Sequence, residues 1–131
     1  MKLPSVTILI ANYNDEEYLD RAIESAVNQD YPGPLQVCIV DDGSTDGSWD
    51  VIVPYINNPA KDAHSRLDVT FSTVPAGRFG NTKVMAIKNE NSGPSQARNV
   101  GIEYTLNDTD IYAILDSDDE MYENKVSECV N

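Results

Sequence analysis

The chain has 131 residues, 40% of them hydrophobic and 24% charged, which is enough for one domain with a core of its own. Its 22 acids against 9 bases give a net charge of −13, so nucleic acid, which needs a basic face, is not an expected partner. No charged-then-apolar leader and no apolar run of roughly 18 residues appear, so neither a signal peptide nor a spanning helix is expected. The two cysteines, Cys38 and Cys129, form no CxxC pair and fit a reducing, cytoplasmic setting.

Residues 6–11, VTILIA, are a short β-branched run and read as a buried strand. Asn14, with Glu17 three residues on, reads as an N-cap with a capping-box partner. The helix it opens would bury Leu19, Ala22, Ile23, Ala26 and Val27. DYPGP at 30–34 breaks that helix, and LQVCIV at 35–40 is a second strand. A turn, DDGSTDGSW, leads into another helix with Trp49, Ile52 and Ile56 on one side and Pro54 stopping or kinking it. NNPAKDAHSRL reads as a surface loop containing the single histidine, His64. DVTFSTV reads as a strand, PAGRFGN as a loop and KVMAIKN as a further strand. SGPSQARNVGIEY starts a helix with Pro94 in its first turn and Ala97, Val100, Gly101 and Tyr104 on its buried face. IYAILD at 111–116 is the last strand.

Strands alternating with helices predict an α/β fold with a mostly parallel sheet covered on both faces. Three strands end alike, in IANYND, IVDDGSTD and ILDSDD. Ligands of open α/β sheets bind beyond the carboxyl ends of the strands, which is where these acids gather. Asp116 and Asp118 are hard oxygen donors two residues apart, suited to Mg2+ or Mn2+ with a diphosphate filling further positions. A solvated turn capping a helix near Tyr122 fits the same residues. An EF-hand does not, because Met121 and Ser127 stand where its loop needs glycine and glutamate. Asp41 and Asp42 suit either a ligand's N–H groups or an Asx-turn at Gly43 with a cap from Ser44 or Asp46. Tyr13 offers a ring for stacking a base, or for plain packing. Arg98, near a helix start in a region short of positive charge, suits a phosphate or a salt bridge to one of the many acids. With one histidine, no Ser/His/Asp or Cys/His relay can be assembled.

Taken together, VTILIANYNDEEYLDRAIESAVNQDYPGPLQVCIVDDGSTDGS resembles the opening of family 2 glycosyltransferases. NENSGPSQARNVGI resembles their N-x-G-x-[SA]-x-A-R-N-x-G segment, and ILDSDD their DxD motif. The resemblance covers almost the whole chain in order, with a longer stretch near 58–82. It implies a GT-A fold, a Rossmann-like sheet, and a nucleotide-sugar donor, commonly a UDP-sugar. It implies that Asp116 and Asp118, with Ser117 between them, hold a Mn2+ or Mg2+ ion, the diphosphate and the ribose, with Asp119 assisting. It places Asp41, Asp42, Tyr13 and Ala11 near the base, and Arg98 with Gly93 near the nucleotide. The implied reaction is metal-dependent inverting transfer of the sugar to a hydroxyl acceptor such as a glycan, as in polysaccharide biosynthesis.

Family members continue past the DxD into an acceptor-binding half that carries the general base, and no position here matches that base. The expectation is a single, incomplete donor-binding domain over 1–131, binding nucleotide weakly and transferring poorly. A non-catalytic nucleotide-sugar-binding or assembly module is the alternative. An incomplete sheet would leave an unpaired edge or apolar face, which makes self-association an expectation. Peripheral membrane association is left open for a longer form. A phosphoacceptor receiver domain would want its acid pair after the first strand, where ANYND stands, and a late lysine; Lys125 lies too close to the last strand. A sugar-phosphate nucleotidyltransferase would want a glycine-rich basic loop where ANYNDEEY stands.

Overall fold

The structure, a computed structural model, describes residues 2–56, 60–61, 68–71 and 82–130, with 60–61 and 68–71 described by their backbone alone. His64, most of the predicted NNPAKDAHSRL loop, the last three residues of the predicted DVTFSTV strand and the whole predicted PAGRFGN loop lie outside the described residues.

In chain order the elements are β1 (Val6–Asn12), α1 (Glu16–Val27), β2 (Leu35–Asp42), α2 (Ser48–Ile52), β3 (Ala60–Lys61), β4 (Asp68–Phe71), β5 (Thr82–Asn89), α3 (Pro94–Thr105), β6 (Ile111–Asp116) and α4 (Lys125–Val130). One sheet runs in the order β3-β4-β5-β2-β1-β6. Its four longest strands, β5, β2, β1 and β6, are parallel, and β4 pairs antiparallel with both β3 and β5. The chain leaves β1 toward β2 on one side and returns to β1's other side as β6. That reversal is the topological switch point where such sheets bind ligands.

Side chains alternate across the sheet because successive strand residues point to opposite faces. On one face Ile8, Ile10, Val37, Ile39, Val84, Ala86 and Leu115 pack with α1 and with Ile52 and Ile56. On the other, Leu9, Cys38, Val40 and Ile87 pack with Ala97 of α3. Burial pushes the Cys38 thiol up to about 12, so it is un-ionised at neutral pH and serves as a small apolar side chain. Among the described residues no helix is long and apolar enough to cross a membrane.

All five residues expected on the buried face of α1 are buried. Its start differs from the expectation. Asp15, not Asn14, precedes the helix, and the Asp15 side chain does not cap it; the Glu16 N–H donates instead to Asp46 Oδ2 at 3.2 Å. Asn14 adopts a left-handed φ of 54°, which asparagine tolerates, and turns its Oδ1 to the backbone N–H of Thr45 at 2.8 Å. A hydrogen bond to a distant loop has displaced the local cap. β2 also runs two residues further than its apolar run, taking in Asp41 and Asp42, because both pair in register with β5. α2 stops at Ile52 and a single 3-10 turn with Pro54 follows, as the proline predicts. β3 lies inside the stretch read as a loop, added to the sheet edge by pairing with β4.

α3 lies close against β1 and β2 because Gly101 has no side chain. A Cβ there would stand 2.3 Å from Leu9 Cδ1 and 3.1 Å from Val40 Cγ2. Gly101→Ala gains helix propensity of about 1 kcal/mol. Overpacking at contacts this short costs about 1–3 kcal/mol, so the net effect expected is a loss of stability. Urea unfolding checks this, and an unchanged or raised midpoint would contradict the packing described.

Candidate functional site

The parallel register brings the strand ends together before any side chain is considered. Asn12 lies beside Asp41, Ala11 beside both Val40 and Asp116, and Asp42 beside Asn89. A cleft of about 430 Å³ opens above these ends, between β1, β6 and the start of α3. Ala11, Tyr13, Asp42, Gly93, Arg98, Asp116, Ser117 and Asp118 all line it. Asp41 does not.

Asp41 and Asp42 part company because consecutive residues of a strand face opposite ways. Asp41 is buried and its Oδ1 accepts from Asn12 Nδ2 at 3.0 Å and from the Ser44 hydroxyl. Asp42, 3% exposed, turns to the α3 side. Its Oδ1 accepts from the Ser92 backbone N–H at 3.0 Å and Asn89 Nδ2 at 3.2 Å, and its Oδ2 from the Gly93 N–H at 2.9 Å. The cap expected between Ser44 and Asp46 is made by Asp46, whose Oδ1 accepts from the Ser48 N–H at 2.9 Å. Burial pushes the Asp46 carboxyl up, but hydrogen bonds from Ser48 and Glu16 outweigh it and hold the group below the ordinary carboxylate range.

Gly93 has φ 95°, a conformation that strains any L side chain, and no atom lies within 4 Å of where its Cβ would be. Its glycine is therefore required by backbone conformation, and the space above it is open. Pro94 begins α3, and Arg98 stands one turn in. Arg98 Nη2 lies 3.3 Å from Asp116 Oδ1, so the ion pair and the phosphate-side position read from the sequence meet in one side chain. Its Nε is buried with no partner among the described residues.

β6 ends at Asp116, and the Asp119 N–H donates to the Asp116 carbonyl at 3.0 Å, closing a tight turn. Carboxylate oxygens of Asp116, Asp118 and Asp119 lie within 4.8 Å of one another, and all three residues are exposed. Like charges at about 4 Å repel by roughly 1 kcal/mol when water screens them, as it does for exposed groups. Three hard oxygen donors at this spacing fit Mg2+ or Mn2+, which would relieve that repulsion. Tyr13, 49% exposed, presents its ring at the rim.

The cleft also takes in Asn12, Asp15, Asn91, Pro94 and Ala97, none of which sequence patterns marked as a site residue. Asp15 was obscured because an acid just before an amphipathic helix looks like part of its cap. Asn12 left no separate signal, lying at the end of an apolar run.

The model of the family described as Glycosyl transferase family 2 matches residues 7–131. An uncharacterized glycosyltransferase of Haemophilus influenzae is 31% identical over 131 residues, all of this chain and 43% of that protein. Two solved structures share the fold. One is S. aureus TarS 1–349 in complex with UDP, at 23% identity and TM-score 0.67, covering 95% of this chain and 30% of that one. The other is the mannosyltransferase PcManGT from Pyrobaculum calidifontis in complex with GDP-Man and Mn2+, at 19% identity and TM-score 0.72, covering 99% and 32%. The chain thus spans less than half the length of these relatives.

The burial of Asp42 separates its structural load from that of Asp118. Asp42→Ala leaves the Ser92 and Gly93 N–H groups without their acceptor, at about 1–3 kcal/mol each. Asp118→Ala removes an exposed side chain and relieves repulsion. Thermal melting is expected to show a marked loss for the first variant and little or none for the second. Equal losses would contradict the assignment of Asp42 as the buried anchor.

Proposed function

The chain belongs to glycosyl transferase family 2 and has its GT-A fold, and on that premise we propose that residues 1–131 form the donor-binding part of a sugar-transferring enzyme. The donor is a nucleotide sugar, a UDP-sugar in the first instance, and the acceptor a hydroxyl such as that of a glycan in polysaccharide synthesis. The observation that carries this reading is the convergence of residues from three separated motifs on one cleft at the switch point of the sheet.

Charge supports a cation in the site. Among the described residues, Asp15, Asp42, Asp116 and Asp118 line the cleft with Arg98 as its one base, a balance that repels a bare diphosphate. Asp116 and Asp118 would hold Mn2+ or Mg2+, with Asp119 near enough to assist. A divalent ion bound there would neutralise charge on the leaving nucleoside diphosphate. Arg98 is drawn to the diphosphate in the same event, exchanging Asp116 for phosphate oxygens and giving its buried Nε an acceptor. Asp42 is the acid of its pair that faces the cleft and would receive an N–H of the base, with the Tyr13 ring against the base plane. Asp41 serves from behind, fixing Asn12 and Ser44. Gly93 leaves room for the nucleotide, Ala11 floors the cleft, and Ser117 sits buried between the two metal-binding acids. The displacement proposed is inverting, with the base that deprotonates the acceptor expected outside residues 1–131.

Calorimetric titration tests the reading, with UDP and then GDP, each with and without Mn2+, on the wild type and Asp118→Ala. The expected result is Mn2+-dependent UDP binding, weakened in the variant about tenfold or more, some 1.4 kcal/mol. GDP binding in place of UDP would keep the site and change the donor. Nucleotide binding indifferent to both Mn2+ and Asp118 would overturn the metal site, and binding of neither nucleotide would overturn the donor-site reading.

A further inference from the structure

We infer that Asp15 is a positioning residue for the Asp116/Asp118 carboxylates, acting through Ser117; the inference rests on the donor-site reading above. Asp15 stands where a helix cap belongs. An aspartate at that place ordinarily accepts from a backbone N–H of the first turn. The Asp15 side chain forgoes that bond. Its Oδ2 instead accepts the Ser117 hydroxyl at 2.5 Å, across 102 residues of sequence. An O–H donor on a carboxylate at this length belongs to the strong, charge-assisted class.

The consequence lies in what each residue of the turn exposes. Ser117 is 4% exposed, while the side chain of Asp116 is 60% exposed and Asp118 is exposed too. Held inward by its hydroxyl, Ser117 fixes the turn at a point between two acids that both face solvent. The middle residue of this acid pair is thus a tether rather than a spacer, and serine suits it as a small side chain with a donor. Asp15 also lines the cleft, so the tether runs directly beneath the site. The turn is restrained on its other residues by the Asp119 N–H to Asp116 carbonyl bond and by Arg98 on Asp116. Together these contacts keep mutually repelling carboxylates assembled, so that a cation meets a preformed set and less ordering is needed on binding.

The probe is Mn2+, titrated into the 131-residue chain and followed by electron paramagnetic resonance, alone and with UDP. The variants are Ser117→Ala, Asp15→Ala, Asp15→Asn and the double alanine variant, each melted by circular dichroism alongside. Loss of a group that orients a metal ligand typically weakens metal affinity about 10–100-fold, so Ser117→Ala and Asp15→Ala are each expected to lose at least about tenfold. The double variant is expected to lose no more than either single one, because both break the same bond. Asp15→Asn keeps an acceptor for the hydroxyl and is expected to retain most of the affinity. Asp15→Asn and Ser117→Ala change size little and carry the test should Asp15→Ala fail to fold. Affinities unchanged in the variants, losses that multiply in the double variant, or an asparagine as damaging as alanine would overturn the inference while leaving the donor site standing. A wild-type chain that takes up no Mn2+ with or without UDP would overturn the donor-site reading and the inference together.

Discussion

A carboxylate shut inside a protein must be satisfied, and Asp42 is satisfied by the backbone. Its two oxygens take the N–H groups of Ser92 and Gly93 and the amide of Asn89. Those bonds fix the connection between β5 and α3, and so fix where α3 begins. Pro94 then starts the helix, Arg98 arrives one turn later, and its guanidinium reaches Asp116 on the far side of β1. The spatial order of the site follows from one buried acid at the end of β2. Gly101 completes the arrangement by letting α3 lie against Leu9 and Val40, which brings its first turn down to the strand ends.

The connection after β1 is the second organiser. Asn12 bonds to Asp41 near the end of β2, and Asn12 and Asn14 bond to Ser44, Thr45 and Asp46 in the turn after it. Glu16 accepts from the Gly47 N–H at 2.8 Å in the same turn. Asp15 reaches the other way, to Ser117 after β6. A few consecutive residues thereby tie together the ends of three neighbouring strands. The crowding of acids in ILDSDD has its physical account here: the turn is tethered by Asp15 and partly neutralised by Arg98, and the proposed cation would neutralise the rest.

The parts of this arrangement that follow local rules were legible in the sequence. The α1 face could be read at each buried position, since a period near 3.6 governs it alone. The fold class and the acid-bearing strand ends followed from alternating apolar runs with polar stops. What was not legible depends on contacts between distant residues. Asn14 looked like a cap until the turn after β2 took its side chain. Asp41 and Asp42 looked equivalent until strand pairing extended over both and turned them to opposite faces. The bond between Asp15 and Ser117 spans 102 residues and has no local signature at all. β3 is two residues long and exists only through its pairing with β4, so a loop was the natural reading of that stretch.

On the reading proposed above, a nucleoside diphosphate binds over the carboxyl ends of β1 and β6. Backbone amide chemical shifts of the 15N-labelled chain, recorded during titration with UDP and Mg2+, test this site residue by residue. Shifts are expected to concentrate at Ala11–Tyr13, Ser92–Gly93 and Asp116–Asp118 and to saturate together. Shifts centred on Ser5, Gln36 and Lys83 at the opposite end of the strands, or scattered without a common saturation point, would contradict it.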